Sequence, residues 1–544
     1  MYYIIFFFLI SIYIVTFLPI ININLINTQK HCILQEITKH IKIRGDTIMK
    51  KKQTNHTSGM IIIEIYLFVM LFAYPLAYND YFFDITETKF YFYCVASLLF
   101  AFAYFISQPH ILKKIKEYLE YKHNWFFLIF LISTAIGAIL TPYPKNALLG
   151  NTGRYNGLVT FIVQAIVLFL LFCEKKLKRT WIYGMEAAGI LTAILAILNH
   201  YKVDPLGFFK RMIPAEQVRF TSTIGNIDIF GEYISLILIA AAVLYCIQDI
   251  TKKSFFHLFV VFITSVALLT NSTDGAFIGI IFYFVFFPFV LQSGTELQRY
   301  LHIIFTFCAG VMVAKILQGH FTPIKKLDGI CSLLLNNIKI IVAVMVLLVI
   351  IGLSLRLLKC QFTYLHNIIK MYRIAVVVAI LVGIVLFLLI NAKVITPNNN
   401  NILSKILITD SWGSSRGYIW RMTLESYGEL PFLQKLFGAG ADSLFYILEK
   451  YRNVIATYGW RVDNAHNLYL QMFACHGIIG FLSWFFWLVI SIKNGIKKCT
   501  TSRFNLVIVF VVIGYFLEAL VGINAIHISG FLVVLTAMMQ CEYT

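Results

Sequence analysis

Arg461-Val462-Asp463-Asn464-Ala465-His466-Asn467-Leu468-Tyr469-Leu470 joins the longest polar stretch of the chain to one of its most hydrophobic runs. The run that opens there, 466–490, is long enough to cross a bilayer as a helix, which takes about 20 residues. Working outward, similar runs recur at 60–77, 89–107, 125–141, 157–173, 181–199, 229–248, 256–270, 276–292, 301–317, 337–354, 373–390, 505–522 and 524–540. Of the 544 residues 59% are hydrophobic and 13% charged, against about 25% charged in a soluble domain. In lipid each spanning segment must satisfy its own backbone polar groups, so these runs are expected to be helices. Their apolar character is continuous rather than alternating, which argues against a membrane barrel. The expected fold class is an all-α polytopic membrane protein of about 12–14 transmembrane helices.

Charge sets the expected orientation. The formal net charge is +19, yet much of it falls in short loops between apolar runs, so it signals topology rather than nucleic-acid binding. Lys113, Lys114, Lys116 and Lys122 share one loop, and Lys175, Lys176, Lys178 and Arg179 share the loop two helices later. Lys252 and Lys253, then Arg356, Lys359 and Lys370, then Lys493, Lys497, Lys498 and Arg503 continue on that side. These loops are assigned to the cytoplasm, and the loop with Asp80, Asp84 and Glu87 to the outside. Lys325 and Lys326 are the main exception, in a loop that the helix count places outside.

The chain divides into four parts on this reading. Residues 1–48 are an N-terminal extension or anchor, because Met49-Lys50-Lys51-Lys52 ahead of the run at 60 reads as a natural start. Residues 60–390 form a transmembrane bundle with outer loops 142–156 and 200–228. Residues 391–465 form a large extracytoplasmic loop, expected to be a helical cap on the membrane, and 466–544 form the C-terminal transmembrane helices. The ten cysteines are scattered, mostly in or beside apolar runs, with no CxxC pair, which suits small helix fillers better than a metal or redox site.

Four constellations carry possible chemistry. His466 lies between polar residues at the mouth of an apolar run, and an imidazole there serves as a base near neutral pH. Its plainer reading is an interfacial histidine, but Asp463, Asn464 and Asn467 are close enough in sequence to orient the ring. Gly150-Asn-Thr-Gly153-Arg154-Tyr155-Asn156-Gly157 is either a tight turn presenting a guanidinium to an anion or a re-entry turn with a snorkelling arginine. Arg219-Phe220-Thr221-Ser222-Thr223-Ile224-Gly225-Asn226 sets a guanidinium, hydroxyls and an amide just before a helix, which suits an anion as well as N-capping by Ser222 or Thr223. Ser411 to Arg421 starts with capping residues and runs into an amphipathic helix with Arg416 and Trp420 on one face. Asp442 follows the Gly438-Ala439-Gly440 break as an expected N-cap. Arg421, Arg452 and Arg461 read as solvated or headgroup-contacting charges. Glu232, His476 and His527, within or at the start of apolar runs, are secondary candidates.

The chain contains no Asp-x-Asp pair, no Walker loop, no dinucleotide fingerprint and no Ser-His-Asp elbow. An enzyme with these residues takes its energy from an already activated substrate.

Taken together, GRYNG at 153–157, RFTSTIGN at 219–226, SSRGYIWRMTLE at 414–425, GAG at 438–440 and DNAHNLYLQ at 463–471 resemble the O-antigen ligase and polymerase superfamily of bacterial envelope enzymes. The resemblance covers most of 60–540. It implies a C-type glycosyltransferase-like membrane fold. It also implies transfer of a glycan from a polyprenyl-diphosphate carrier to an acceptor hydroxyl on a glycan, lipid or protein, at the outer face of the bacterial cytoplasmic membrane. No metal, nucleotide sugar, other cofactor or nucleic acid is implied. By that resemblance Arg219 and Arg416 grip the diphosphate, Arg154 assists, and His466 takes the acceptor proton or stabilises the departing diphosphate. Asp463, Asn464, Asn467, Asn226 and Ser222 would support them. The turn Asn271-Ser272-Thr273-Asp274-Gly275, with an aspartate where many relatives show an arginine, and the long apolar region 318–372 depart from the pattern and leave the acceptor class open, ligase or polymerase. The rival from another class is a lipid-linked oligosaccharide flippase or polysaccharide exporter. A transporter would place its polar residues near the bilayer midplane and show internal repeats; here they collect in outer loops, with no convincing repeat.

Overall fold

The computed structural model describes residues 58–79, 84–248, 251, 253–357, 362–397, 402–453, 455, 459 and 461–543. The N-terminal extension, the basic start at 49–52, Asp80, Lys252 and Lys359 lie outside the described residues.

Among the described residues fourteen apolar helices follow one another: α1 (Ser58–Leu76), α2 (Ile85–Ser107), α3 (Lys122–Leu140), α4 (Leu158–Cys173), α5 (Trp181–His200), α6 (Ile227–Ile247), α7 (Ser254–Asn271), α8 (Phe277–Val290), α9 (Gly294–His320), α10 (Ile338–Arg356), α11 (His366–Asn391), α12 (Leu468–Lys498), α13 (Asn505–Glu518) and α14 (Ile526–Met538). Ten are long and apolar enough to cross a membrane; α4, α8, α13 and α14 are shorter. Each coincides with one of the apolar runs of the sequence, and the chain is an all-α, multi-pass membrane protein. One difference is at α9, which starts seven residues before its apolar run. Those first turns are polar, but Ser293 caps them by accepting from the Glu296 amide at 3.1 Å, and Arg503 pairs with Glu296 at 2.9 Å. A capped, charge-paired start extends a helix beyond what hydropathy alone reveals.

Alternating crossings sort the loops into two ends. At one end Lys114 pairs with Glu174 at 3.1 Å and Lys178 with Glu64 at 3.2 Å. Arg503, with its partner on α9, belongs to the same end. The other end gathers the loops that follow α3, α5, α7, α9, α11 and α13, which together line one cavity.

α6 is the hub, enclosed along its whole apolar window, between α7 and α13. α10 and α11 sit at the periphery, with 0% and 11% of their apolar windows buried. A helix apolar on all sides and packed on only one of them has lipid as its natural surroundings.

Residues 412–452 form three helices, Trp412–Glu429, Phe432–Phe437 and Leu444–Arg452. Leu444, Ile447 and Leu448 bury one face of the last, as their spacing predicts. This assembly is wedged into α12. That helix breaks at Gly477, where φ is 66° and ψ 178°, and Gly438 packs into the break. A Cβ on Gly438 would lie 2.2 Å from the Cys475 carbonyl oxygen, and one on Gly477 would lie 2.5 Å from the Gly438 nitrogen. Only two glycines permit so close an approach of backbones.

Two expectations about helix starts are corrected. The helix at Trp412 is not capped by the Ser411 side chain; Gly413, Ser414 and Ser415 are all left-handed before regular geometry begins. Asp442 does not cap the helix at Leu444. Its Oδ2 accepts from the Asn151 amide at 2.8 Å and the Asn156 amide at 3.5 Å, so it clamps the 150–157 turn onto the cap.

Candidate active site

A cavity of about 970 Å³ opens at the loop end of the bundle. Arg154, Arg219, Arg416, His466 and Asn226 all line it, although they come from four remote segments of the chain. Each is held by local structure that its own sequence dictates.

Arg154 projects from the turn clamped by Asp442. Its NH2 donates to Asp463 Oδ1 at 3.1 Å, and its backbone oxygen accepts from the Ile526 amide at 2.9 Å. Its Nε is enclosed without a hydrogen-bond partner among the described residues. Arg219 and Asn226 flank a small antiparallel hairpin in which Phe220 pairs with Asn226 and Thr221 with Gly225. The hairpin closes through Ser222, which is left-handed at φ 54°, and Gly225 at φ 91°. Asn226 then caps α6, accepting from the Asp228 and Ile229 amides at 2.8 and 3.3 Å. Capping therefore falls to Asn226, not to Ser222 or Thr223. The Arg219 side chain is exposed to the cavity and makes no hydrogen bond to the described residues. Arg416 donates from Nε to the Val521 carbonyl at 3.2 Å and from NH1 to the Gly413 carbonyl at 2.8 Å. Two of its five donor hydrogens are thus spent on backbone, fixing the guanidinium without neutralising it.

His466 is left-handed at φ 48°. Asn464 Oδ1 holds that conformation by accepting from the His466 amide at 2.8 Å. The neighbouring Trp420 Nε1 anchors the strand by donating to the Ala465 carbonyl at 2.9 Å. The ring lines the cavity, and its Nδ1 is enclosed with no partner among the described residues, which leaves Nε2 as the open nitrogen. Burial, then the charges of Arg416 and Arg154, hold the imidazole down at about 3, with Asp463 opposing. The ring is therefore neutral at physiological pH. Left-handed non-glycine residues cluster here, at Tyr155, Ser414, Ser415, Asp442 and His466. Each such conformation costs of order 1–3 kcal/mol and persists only where the surroundings over-determine it.

The remaining expected site residues stand behind the cavity wall. Asp463 pairs with Arg154, Asn464 holds the His466 backbone, and Asn467 caps α12 through the Leu470 amide at 3.0 Å. None of the three bonds to the imidazole ring, because each is committed to backbone or to arginine. Ser222 is fully buried and does not line the cavity; its amide donates to Asn199 Oδ1 at 2.9 Å, and its hydroxyl has no hydrogen-bond partner among the described residues. Arg421 pairs with Asp410 and Glu425, and Arg452 with Glu425 and Glu429. Arg461 donates to Asn151 Oδ1 at 2.9 Å and lies over the Phe445 ring at 4.1 Å. His476 is packed against Thr134 at 3.0 Å, and His527 against Thr86 at 3.1 Å.

The cavity also holds Glu232, a secondary candidate in the sequence, together with Asp274, Lys325, Asp228 and Asp328, which were not among the expected site residues. Two signals pointed to them. Lys325 broke the charge rule for loops because it faces into the cavity and does not serve topology. Asp274 was the departure from the family pattern. Burial lowers the Lys325 ammonium, with Asp328 and Asp228 pulling the other way.

No curated protein matches the chain. Residues 329–485 match the family described as O-antigen ligase, a stretch that includes Arg416 and His466 and leaves Arg154 and Arg219 outside. Over that segment the chain is similar to the O-antigen ligase family.

Proposed function

We propose that this cavity, at the outer face of the cytoplasmic membrane, transfers a glycan from a polyprenyl-diphosphate carrier to an acceptor hydroxyl, as a ligase or a polymerase and without a metal or nucleotide sugar. The observation that carries the reading is the convergence of three guanidiniums and one neutral imidazole, from remote segments, in one cavity at one end of a membrane bundle.

The chemistry follows from the geometry. The anomeric C–O bond to the diphosphate breaks, and its electron pair leaves on the phosphate oxygen. Arg219 and Arg416 stabilise that charge, and Arg154, steered by Asp463, assists. Fixed charges aimed at a developing anion supply much of the rate enhancement in many enzymes, and removing one donor costs about 10²–10³ in rate. The acceptor oxygen forms the new bond at the anomeric carbon, and its proton passes to His466 Nε2. A single in-line step inverts that carbon.

The depressed imidazole fits this scheme. Burial first, and then Arg416 and Arg154, hold His466 well below its ordinary range. A bound diphosphate neutralises those charges, so the ring gains basicity when the donor is in place.

Glycan transfer should be measured for His466→Ala and for Arg219→Ala with Arg416→Ala, alongside donor movement across the membrane. Lost transfer in correctly folded protein supports the enzyme. Retained transfer, or loss of movement alone, favours a flippase and removes the proposal.

A further inference from the structure

The cavity carries two kinds of charge, and only one has a role so far. His466 feels Arg416, Arg154 and Asp463. Lys325 feels Asp328 and Asp228. Glu232 joins the two sets, interacting with Asp228 as well as with Arg416 and Arg154. Arg154, Arg416 and His466 thus mark one end of the cavity and Asp228, Asp328 and Lys325 the other, with Glu232 between them; the Arg219 backbone, which accepts from the Ile227 amide at 3.2 Å, stands next to Asp228.

The acidic end is built. Asp328 accepts from the Ser272 hydroxyl at 2.5 Å, and its amide donates back to that hydroxyl at 3.0 Å. Asp274 Oδ1 accepts from the Ile330 amide at 2.8 Å. Gly329 lies between them at φ 52°, where a Cβ would sit 2.2 Å from both Asp274 oxygens. These bonds lock the turn after α7 to the loop after α9. Much hydrogen-bonding capacity is left over. Glu232 is 3% exposed, yet it lines the cavity with Oε2 unpartnered among the described residues, while Oε1 accepts from the Ile523 amide at 3.1 Å. The carboxylate of Asp228 and the ammonium of Lys325 make no hydrogen bond or close ion pair to the described residues.

We propose that Asp228, Asp274, Asp328 and Lys325, with Glu232, form the acceptor subsite, and that it takes a hydroxyl-rich saccharide end that is uncharged or bears an amine. This rests on the donor reading of the arginine end. Carboxylates accept from sugar hydroxyls and an ammonium donates to them, so such a wall matches a polyol. The three aspartates outnumber the Lys325 ammonium and repel a phosphorylated or acidic sugar, while Arg154 and Arg416 attract diphosphate. The two substrates are then sorted by charge within one cavity.

The test uses the full chain in lipid nanodiscs with small probes, read by ligand-observed NMR. Inorganic pyrophosphate occupies the arginine end. Glucose, glucosamine and glucose 6-phosphate are then titrated in its presence. The expected result is binding of glucose and glucosamine but not glucose 6-phosphate. Asp228→Asn and Lys325→Met, neither of which removes a side-chain cap, should weaken the sugars at least fivefold and leave pyrophosphate unchanged, which also reports folding. The proposal is overturned if no neutral or amino sugar binds, if the variants leave the sugars unaffected, or if glucose 6-phosphate binds equally well. Failure of pyrophosphate alone, with the sugar pattern intact, removes the donor reading and leaves the saccharide subsite standing.

Discussion

Arg154 and Asp463 meet at 3.1 Å although 309 positions separate them in the chain. The pair ties the turn before α4 to the strand that carries His466, and both side chains are largely enclosed, at 14% and 27% exposure. Asp463 is therefore a positioning residue for a guanidinium and not an orienter of the imidazole. Asp463→Asn should lower transfer about tenfold by loosening Arg154, since misplacement of a catalytic charge costs of that order or more. A double-mutant cycle with Arg154→Ala should be strongly non-additive. Additive losses would show that the two side chains act independently.

The depressed His466 makes a pH prediction. In the free protein the ring stays neutral down to about 3, so kcat/KM, which reports the free enzyme, should have no histidine limb near neutrality. A bound diphosphate raises the imidazole towards its ordinary range. A raised value means protonation, and loss of the base, at higher pH. On acidification kcat should therefore fall before kcat/KM does. Coincident acid limbs in the two profiles would refute donor-dependent basicity.

Gly438 and Gly477 let the backbones of the cap and α12 approach where a Cβ on either would clash. Gly477→Ala places a methyl in the left-handed region and against the Gly438 backbone, and should destabilise by at least ~2 kcal/mol. Gly438→Ala should do the same, with the double variant little worse than either alone. Thermal unfolding in detergent, together with protease sensitivity of 412–452, measures both effects. Unchanged unfolding in either single variant would show that the cap is not wedged into α12.

Lys89, fully buried in α2, donates to the Tyr74, Pro75 and Ala77 carbonyls at 2.9, 3.0 and 3.1 Å, closing the C-terminus of α1. The last carbonyls of a helix lack a full set of partners within it, and here Lys89 adds to the Ala77 amide that already reaches the Tyr74 oxygen. Lys89→Met removes all three bonds; the Tyr74 oxygen keeps the Ala77 amide and the Pro75 oxygen keeps the Thr223 hydroxyl, but the Ala77 oxygen loses this donor, and the change should cost about 1–3 kcal/mol of stability. The residue does not line the cavity, so KM for the donor should stay unchanged in whatever protein remains folded. A selective rise in that KM with normal unfolding would assign Lys89 to substrate instead.

Much of the bundle was legible in the sequence because lipid imposes a simple rule: a spanning segment must be apolar and helical by itself. That rule finds α6 or α12 from a window of about 20 residues. It fails at the polar first turns of α9, which depend on Arg503 from far along the chain. The site was legible only in part. Arg154, Arg219, Arg416 and His466 stood out as cations and an imidazole in polar loops. Glu232 was visible as a charge in an apolar run, but nothing local told it apart from His476 or His527, which pack away from the cavity.

The amino-acid sequence by itself determined the membrane class, the order of the helices and the four cationic or imidazole groups at loop positions, because hydropathy and charge are local properties. Only the tertiary structure decided which groups share a cavity, that Asp463 serves Arg154 while Asn464 serves the His466 backbone, and that Lys325 faces inward among carboxylates. Those assignments depend on which loops alternate crossings bring to the same end and on which backbones two glycines allow to touch. Such contacts link positions hundreds of residues apart, and no local pattern encodes them.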